Sequence, residues 1–350
     1  MAADVVSLVP VFKIEVDGTE LAAGSRAAVQ GVRFEDELNV ASMFVLKLST
    51  SDIEKGDWQF LDLKTFHIGS EIRLYFGMDS YEEMMVGETT SIEPSFGKGI
   101  SAIEIRGYDR LHRLRFGKKR RTFTNMKDSD IISTIAGDWG LTPDTEDSGT
   151  VYPYVYQNNL SDLEFVLERA KRIGYEVCVK DKTLAFKSSK EKDSESLSLE
   201  YKADFDELAV KLSARYEGNE FVVQGWDFKK KEPISGKAKK GNEVSLMSAK
   251  KSGAEMTESA FGASISSVVD EHPQDTSDAE KVAIARFNSH IGESVTGEGK
   301  CLGLPSLRAG KTVKVKGIGM FSGIYYVTKT THSIDEKGYH TSFRVRRVGI

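Results

Sequence analysis

Six histidines, His67, His112, His272, His290, His332 and His340, are the first residues to test for metal or acid–base chemistry. No two stand at the i, i+4 spacing that would put a pair of imidazoles on one helix face, and no His-rich tract occurs. His332 and His340 flank an Asp335-Glu336-Lys337-Gly338 turn and would face each other across a hairpin, although polar strand positions explain them more simply. Two carboxylates suffice for glycoside hydrolysis, and Glu164 and Glu168 share a helix. Lys171 and Arg172 follow them, so a solvated charged face accounts for the group. Gly317-x-Gly319-x-x-x-Gly323 has the glycines of a phosphate loop without the helix N-terminus or Lys-Ser/Thr that would hold a phosphate. No serine stands in Gly-x-Ser-x-Gly. Cys178 and Cys301 form neither a disulfide framework nor a zinc spacing, and read as reduced core thiols. Lys118-Lys119-Arg120-Arg121 and Lys229-Lys230-Lys231 are short runs between elements, which solvated loops explain. The expectation is a chain that is not an enzyme, with no catalytic, metal-binding or cofactor-binding residue and no cofactor.

Bulk properties narrow the field. At 350 residues and 39% hydrophobic content the chain can bury a core and should divide into two or three domains. With 48 basic against 53 acidic residues, a net charge of −5 argues against a general nucleic-acid binder. The start, Met1-Ala2-Ala3-Asp4-Val5-Val6, has neither the basic residues nor the apolar run of a signal peptide. No stretch reaches the roughly 18 apolar residues of a membrane span.

Period-two alternation dominates the first hundred residues. Phe12, Ile14 and Val16 alternate with polar neighbours, as do Phe44, Leu46 and Leu48, then Ile72, Leu74 and Phe76, then Ile103 and Ile105. Strands of this kind put one face in a core and the other in water or against a partner. The period then changes. Ile131, Ile132, Ile135 and Trp139 make a helical stripe stopped by Gly140. Ser161-x-x-Glu164 is a capping box with Leu160 and Phe165 as its staple, and the helix runs to Gly174. Strands resume at Leu208 to Tyr216 and at Phe221 and Val223. Residues 229–275, rich in Lys, Ser, Gly and Glu, read as a long loop. A further capping box, Ser277-x-x-Glu280, opens a helix ending near His290.

The chain repeats itself. Leu61-x-Leu63-x-Thr65-Phe66-x-x-Gly69-x-x-Ile72-x-Leu74 is matched 241 positions later by Leu302-x-Leu304-x-Ser306-Leu307-x-x-Gly310-x-x-Val313-x-Val315. The same register sets Val86, Thr89 and Thr90 against Val327, Thr330 and Thr331. A one-residue slip sets Ile103-x-Ile105-Arg106 against Phe343-x-Val345-Arg346. The matches are apolar at strand spacing, which makes Gly69 and Gly310 repeat-equivalent strand starts, intolerant of bulky residues. The expected fold is mainly β with an α+β insertion. Residues 1–107 form a first antiparallel β-barrel, and 108–200 an inserted α/β domain. Residues 201–228 with 292–350 form a second, related barrel, and 229–291 a loop excursion and helix.

The segment Tyr156-Gln157-Asn158-Asn159-Leu160-Ser161-Asp162-Leu163-Glu164-Phe165, continued to Arg169-Ala170 and Gly174-Tyr175, resembles the phage late control D family. These are baseplate hub proteins of contractile tails, similar to the N-terminal hub portion of VgrG spikes. Gly107-Tyr108-Asp109-Arg110-Leu111-His112-Arg113-Leu114 with Asp130-Ile131-Ile132 resembles the strand and helix before it. Gly310-x-x-Val313-x-Val315-x-Gly317, Phe321-Ser322-Gly323-x-Tyr325-Tyr326-Val327, His332 and Gly338-Tyr339-x-Thr341-x-Phe343 resemble the closing domain. The resemblance spans nearly the whole chain except 229–275. It implies two tube domains around an α/β domain, and a homotrimer whose six tube domains form a pseudo-sixfold ring between the inner tube and a threefold spike. VgrG-type chains run on into a further barrel and needle, whereas this one stops at Arg346-Arg347-Val348-Gly349-Ile350, so the spike is expected to be a separate protein. Implied partners are the chain itself, the inner tube protein, that spike and other baseplate proteins, with no membrane anchor and with DNA or cargo only in transit. Such a protein would be made in a bacterial cytoplasm and built into a phage or tail-like particle. The alternatives are a peptidoglycan-degrading enzyme of the same particle, or a cargo- or nucleic-acid-binding module resting on the basic runs.

Overall fold

The computed structural model describes residues 9–52, 57–97, 101–191 and 194–350. The alternating segments of the first hundred residues form strands β1 (Pro10–Val16), β2 (Val29–Glu37), β3 (Met43–Ser49), β4 (Glu71–Met78), β5 (Glu82–Ser95) and β6 (Ala102–Tyr108). They pair antiparallel in the order β2-β3-β6-β5-β4-β1. One residue in two points inward, so Ile14, Phe34, Phe44, Leu46, Ile72 and Leu74 pack into a single core.

A turn of 3-10 helix leads into the inserted unit. It contains β7 (Lys119–Phe123), α1 (Asp128–Asp138), β8 (Val155–Leu160), α2 (Asp162–Ile173), β9 (Tyr175–Lys180) and β10 (Thr183–Ser188). The capping box holds: Glu164 N–H donates to Ser161 Oγ, and the Glu164 carboxylate accepts from Ser161 N–H at 2.7 Å. Gly174, at φ +73°, ends α2 in the left-handed conformation that glycine adopts without strain. Leu163, Val166 and Ala170 bury its inner face against Ile131, Ile135 and Phe186.

The remaining elements are β11 (Leu197–Glu200), β12 (Phe205–Leu212), β13 (Glu220–Asp227), β14 (Glu232–Ala238), α3 (Gly253–Phe261), β15 (Ile265–Val268), α4 (Thr276–Ile291), β16 (Val295–Leu302), β17 (Thr312–Lys316), β18 (Gly323–Asp335) and β19 (Gly338–Arg347). Six of these pair in the order β12-β16-β19-β18-β17-β11, the same arrangement as the first barrel. One detail differs: β11 runs parallel to β17, whereas β1 is antiparallel to β4.

Four sequence readings need correction. β11, expected within the inserted unit of 108–200, pairs with β17 in the second barrel. Residues 229–275 are not a long loop, because β14, α3 and β15 lie within them. The strand containing Phe221 and Val223 belongs with these elements and not with the second barrel. β13 pairs with β14 and β15, and its inner face packs on Ala279, Val282 and Ala283 of α4. β14 buries only alternate residues and β15 buries none fully, so polar and turn residues dominate the composition of 229–275. Finally, α4 is capped by Asp275, whose carboxylate accepts from Asp278 N–H at 2.8 Å, in place of a box at Ser277.

Candidate assembly interface

The two barrels share a matching pattern of backbone hydrogen bonds where their repeated strands begin. Gly69, at φ +91°, donates its N–H to Thr89 O, and Thr89 N–H returns to Ser70 O. Gly310, at φ +77°, donates to Val327 O, and Val327 N–H returns to Lys311 O. A β-bulge follows in each barrel, at Thr89/Ser91 and at Val327/Lys329. At both bulges the extra residue is a threonine whose Oγ1 donates to an arginine carbonyl: Thr90 to Arg106 at 3.4 Å and Thr328 to Arg344 at 3.2 Å. The offset is therefore 241 from Gly69 to Gly310 but 238 from Thr90 to Thr328. Glu71 pairs with Glu88 and Thr312 with Tyr326, so the β17–β18 hairpin is three residues shorter than its counterpart. The sequence match of Thr89 and Thr90 to Thr330 and Thr331 is three residues out of register. Ile105-Arg106 matches Phe343-Arg344, not Val345-Arg346.

The barrels join edge to edge. Beyond its bulge, β18 leaves β17 and runs between β19 and β2, pairing Lys329 with Glu37 through to Ile334 with Val32. Lys329 Nζ reaches Glu37 at 2.8 Å and Glu35 at 3.3 Å across this junction. Arg308 binds Asp36 at 2.8 Å and lies over the Phe34 ring, which stacks on His332. His332 Nε2–H donates to Leu307 O at 3.0 Å, which leaves Nδ1 to accept from Tyr339 OH at 2.9 Å. Burial, helped by nearby Arg308, pushes its pKa down to about 3 and keeps the ring neutral. Ile334 and Tyr339, from the second barrel's strands, complete the core of the first. His340 pairs with Ser333 and not with His332, so the two histidines do not face each other. No group of His, Cys, Asp and Glu suited to a metal ion occurs among the described residues.

The counterparts of these joined edges stand open. Among the described residues, residues 207–212 of β12, which corresponds to β2, pair only with β16, and residues 91–95 of β5 pair only with β6. Burial follows. Thr330 and His332 on β18 are fully buried, whereas Ile92 is half-buried and Pro94 exposed. Val32 and Phe34 on β2 are buried, whereas Leu208 and Val210 are half-buried and Leu212 is 41% exposed. The face of the long sheet turned away from both cores is mostly polar, with Val45, Ala209 and Leu302 among its few apolar residues. Its charges pair locally, as in Arg33–Glu35, Arg106–Glu104 and Arg344–Glu298.

The other sequence candidates serve structure. Glu164 is occupied as a cap. Lys119 and Arg121 bind the buried Asp162 at 2.6 and 2.8 Å, so that basic run is half internal. Lys229 and Lys230 lie in a turn where their N–H groups donate to Asp227. Cys301 is buried and its thiol is pushed up to about 12 by burial, but Cys178 is exposed, not a core thiol. Gly317 and Gly319 shape the turn between β17 and β18. Sequence reasoning missed the buried cluster of Arg172, Asp278 and Tyr152 that ties α2 to α4. Its members lie too far apart along the chain for any spacing to announce them.

The described residues thus form two related antiparallel barrels, with an α/β unit between them and two sheet edges unpaired among those residues. A family model described as the Alg8 N-terminal domain matches residues 6–336, and the chain belongs to that family. Among solved structures, the 43 kDa tail protein of prophage MuSo2 from Shewanella oneidensis is 15% identical with a TM-score of 0.73, over 97% of this chain and 98% of that one. A tail protein from Neisseria meningitidis MC58 is 11% identical with a TM-score of 0.70, over 97% of each chain. The E. coli c3393 protein, a component of the type VI secretion system, is 12% identical with a TM-score of 0.60, over 96% of this chain and 76% of that one. These likenesses establish a shared fold. No curated protein matches the chain significantly. No helix among the described residues is long and apolar enough to cross a membrane.

Proposed function

We propose that the chain is a structural, non-catalytic hub of a contractile phage tail or tail-like injection particle. It acts as a homotrimer that joins a sixfold inner tube to a threefold spike. The observation that carries this reading is the repetition of one barrel within the chain, joined edge to edge by β2 and β18. A unit that repeats with one end of the pair still open continues into further copies, and closed rotational symmetry ends the series as a ring. Three chains then present six barrels. The tail proteins that share the fold support this reading, as does the polar sheet face, which would line the bore with locally neutralised charge. Inner tube, spike and other baseplate proteins are the partners it implies, and DNA or cargo would pass through without being held. Light scattering of the purified chain is expected to give three times the 38.8 kDa chain mass. A monomer at every concentration, with no ring on imaging, would overturn the hub.

Gly69 and Gly310 are then equivalent strand starts, each held at positive φ. Valine is strongly disfavoured in that region, at a cost on the order of 1–3 kcal/mol. Gly69→Val and Gly310→Val are expected to lower stability in urea by similar amounts. A tolerated valine at either site would break the equivalence.

A further inference from the structure

Resting on the ring reading above, we propose that β12 of one copy pairs with residues 91–95 of β5 in a second copy. The register is the one that β2 makes with β18 inside the chain. The in-chain junction supplies the template. Thr90 and Thr328 occupy the same bulge, which carries Thr331 onto Glu93. Leu46 pairs with Ile105 and Val32, as Gly299 pairs with Phe343 and Leu208, which carries Glu35 onto Lys211. The in-chain pair Thr331/Glu35 therefore becomes Glu93 opposite Lys211 between copies. Both residues are exposed and of opposite charge, on the polar face. The next pair, Thr330/Asp36, becomes Ile92 opposite Leu212, an apolar contact on the core side where Leu212 now meets water.

This register keeps the in-chain hydrogen-bond pattern with one bond missing, at Pro94. Leu38 N–H donates to Thr328 O, so every second pair onward, including His332/Phe34, is a hydrogen-bonded pair. Pro94 takes the place of His332 and brings no N–H, although its carbonyl still accepts from Val210. A proline at this position weakens indiscriminate pairing of an open edge while leaving room for a partner that matches it elsewhere. Glu93/Lys211 falls at a non-hydrogen-bonded position, where Cα atoms approach to about 4.5 Å. That distance lies within the range a disulfide spans.

The test places Glu93→Cys and Lys211→Cys in one full-length chain and oxidises it under native conditions. A covalent trimer on a denaturing gel is expected, absent after reduction and absent from either single variant. A particle of three-chain mass without this link, or an equal link from a single variant, would overturn the register and leave the ring standing. A protein that stays monomeric and unlinked would overturn both. In a second arm, Lys211→Glu should lose the trimer at dilutions where the parent keeps it, and the added Glu93→Lys should restore it. Failure of the double exchange to restore assembly would count against the pairing.

Discussion

Asp278→Ala is expected to lower the free energy of unfolding by about 3–5 kcal/mol, the cost of breaking a buried ion pair by removing one partner. Asp278 is fully buried. Its carboxylate accepts from Arg172 Nη1 at 2.9 Å and Nη2 at 2.7 Å, from Tyr152 OH at 2.9 Å and from Gln274 N–H at 3.0 Å. Burial alone would raise this carboxyl, but the bonds from Arg172 hold it below the usual carboxylate range. Arg172 also donates to Glu271 at 3.1 Å, which accepts from Arg286 at 2.7 Å. The cluster fastens α2 of the inserted unit to α4, two helices 106 residues apart at the linked positions. Urea denaturation should show the loss with Asp278→Ala alone, and a similar loss with Arg172→Met alone. The double variant should cost less than the two combined, because neither charge is then left unpaired. Strict additivity, or a loss under about 1 kcal/mol from Asp278→Ala, would mean the cluster does not clamp the units.

What the sequence made legible follows from what repeats locally. One-faced strands such as β1 and β4 announce themselves because their alternate residues meet different surroundings, and α2 announces both its cap and its stop. The register of β5 against β18 was illegible for a physical reason. Residues 84–89 and 324–327 are buried at consecutive positions, so both faces are covered and alternation carries no parity to read. A three-residue shortening of one hairpin then passes unseen, and only the bulge threonines betray it. The open edges are silent for a different reason. Leu208, Val210 and Leu212 alternate as Val32 and Phe34 do, and nothing in a strand's own residues says whether a neighbour lies beside it. The buried charges that tie distant helices are equally silent. No spacing links Arg172 to Asp278.

The chain should show almost no net contribution to pH-dependent stability from two buried groups that oppose each other, and removing either should expose the other. Burial raises the Asp109 carboxyl to about 7, against the N–H groups of Ser42 and Leu111 that donate to it. Burial likewise pushes His332 down to about 3. Both groups lie near the Asp36–Arg308 pair, with Asp36 raising Asp109 and Arg308 lowering His332. In the unfolded chain they titrate near their ordinary values, about 3.9 and about 6.5. Between roughly pH 4 and 6.5 the unfolded chain has His332 protonated and Asp109 ionised. The folded chain holds its proton on Asp109 instead, so both states bind one proton and the pair contributes no slope. In His332→Gln only Asp109 remains. Its stabilisation is full below about pH 4 and should be lost as pH rises through about 7, at about 1.4 kcal/mol per unit. In Asp109→Asn only His332 remains. Stability should then fall at a similar rate as pH drops from about 6.5 toward about 3. Urea unfolding at several pH values would read both slopes. Every other titrating group is common to parent and variants, so differences between the curves isolate these two. Variant curves parallel to the parent's would show that neither proton is held as the burial of these groups requires.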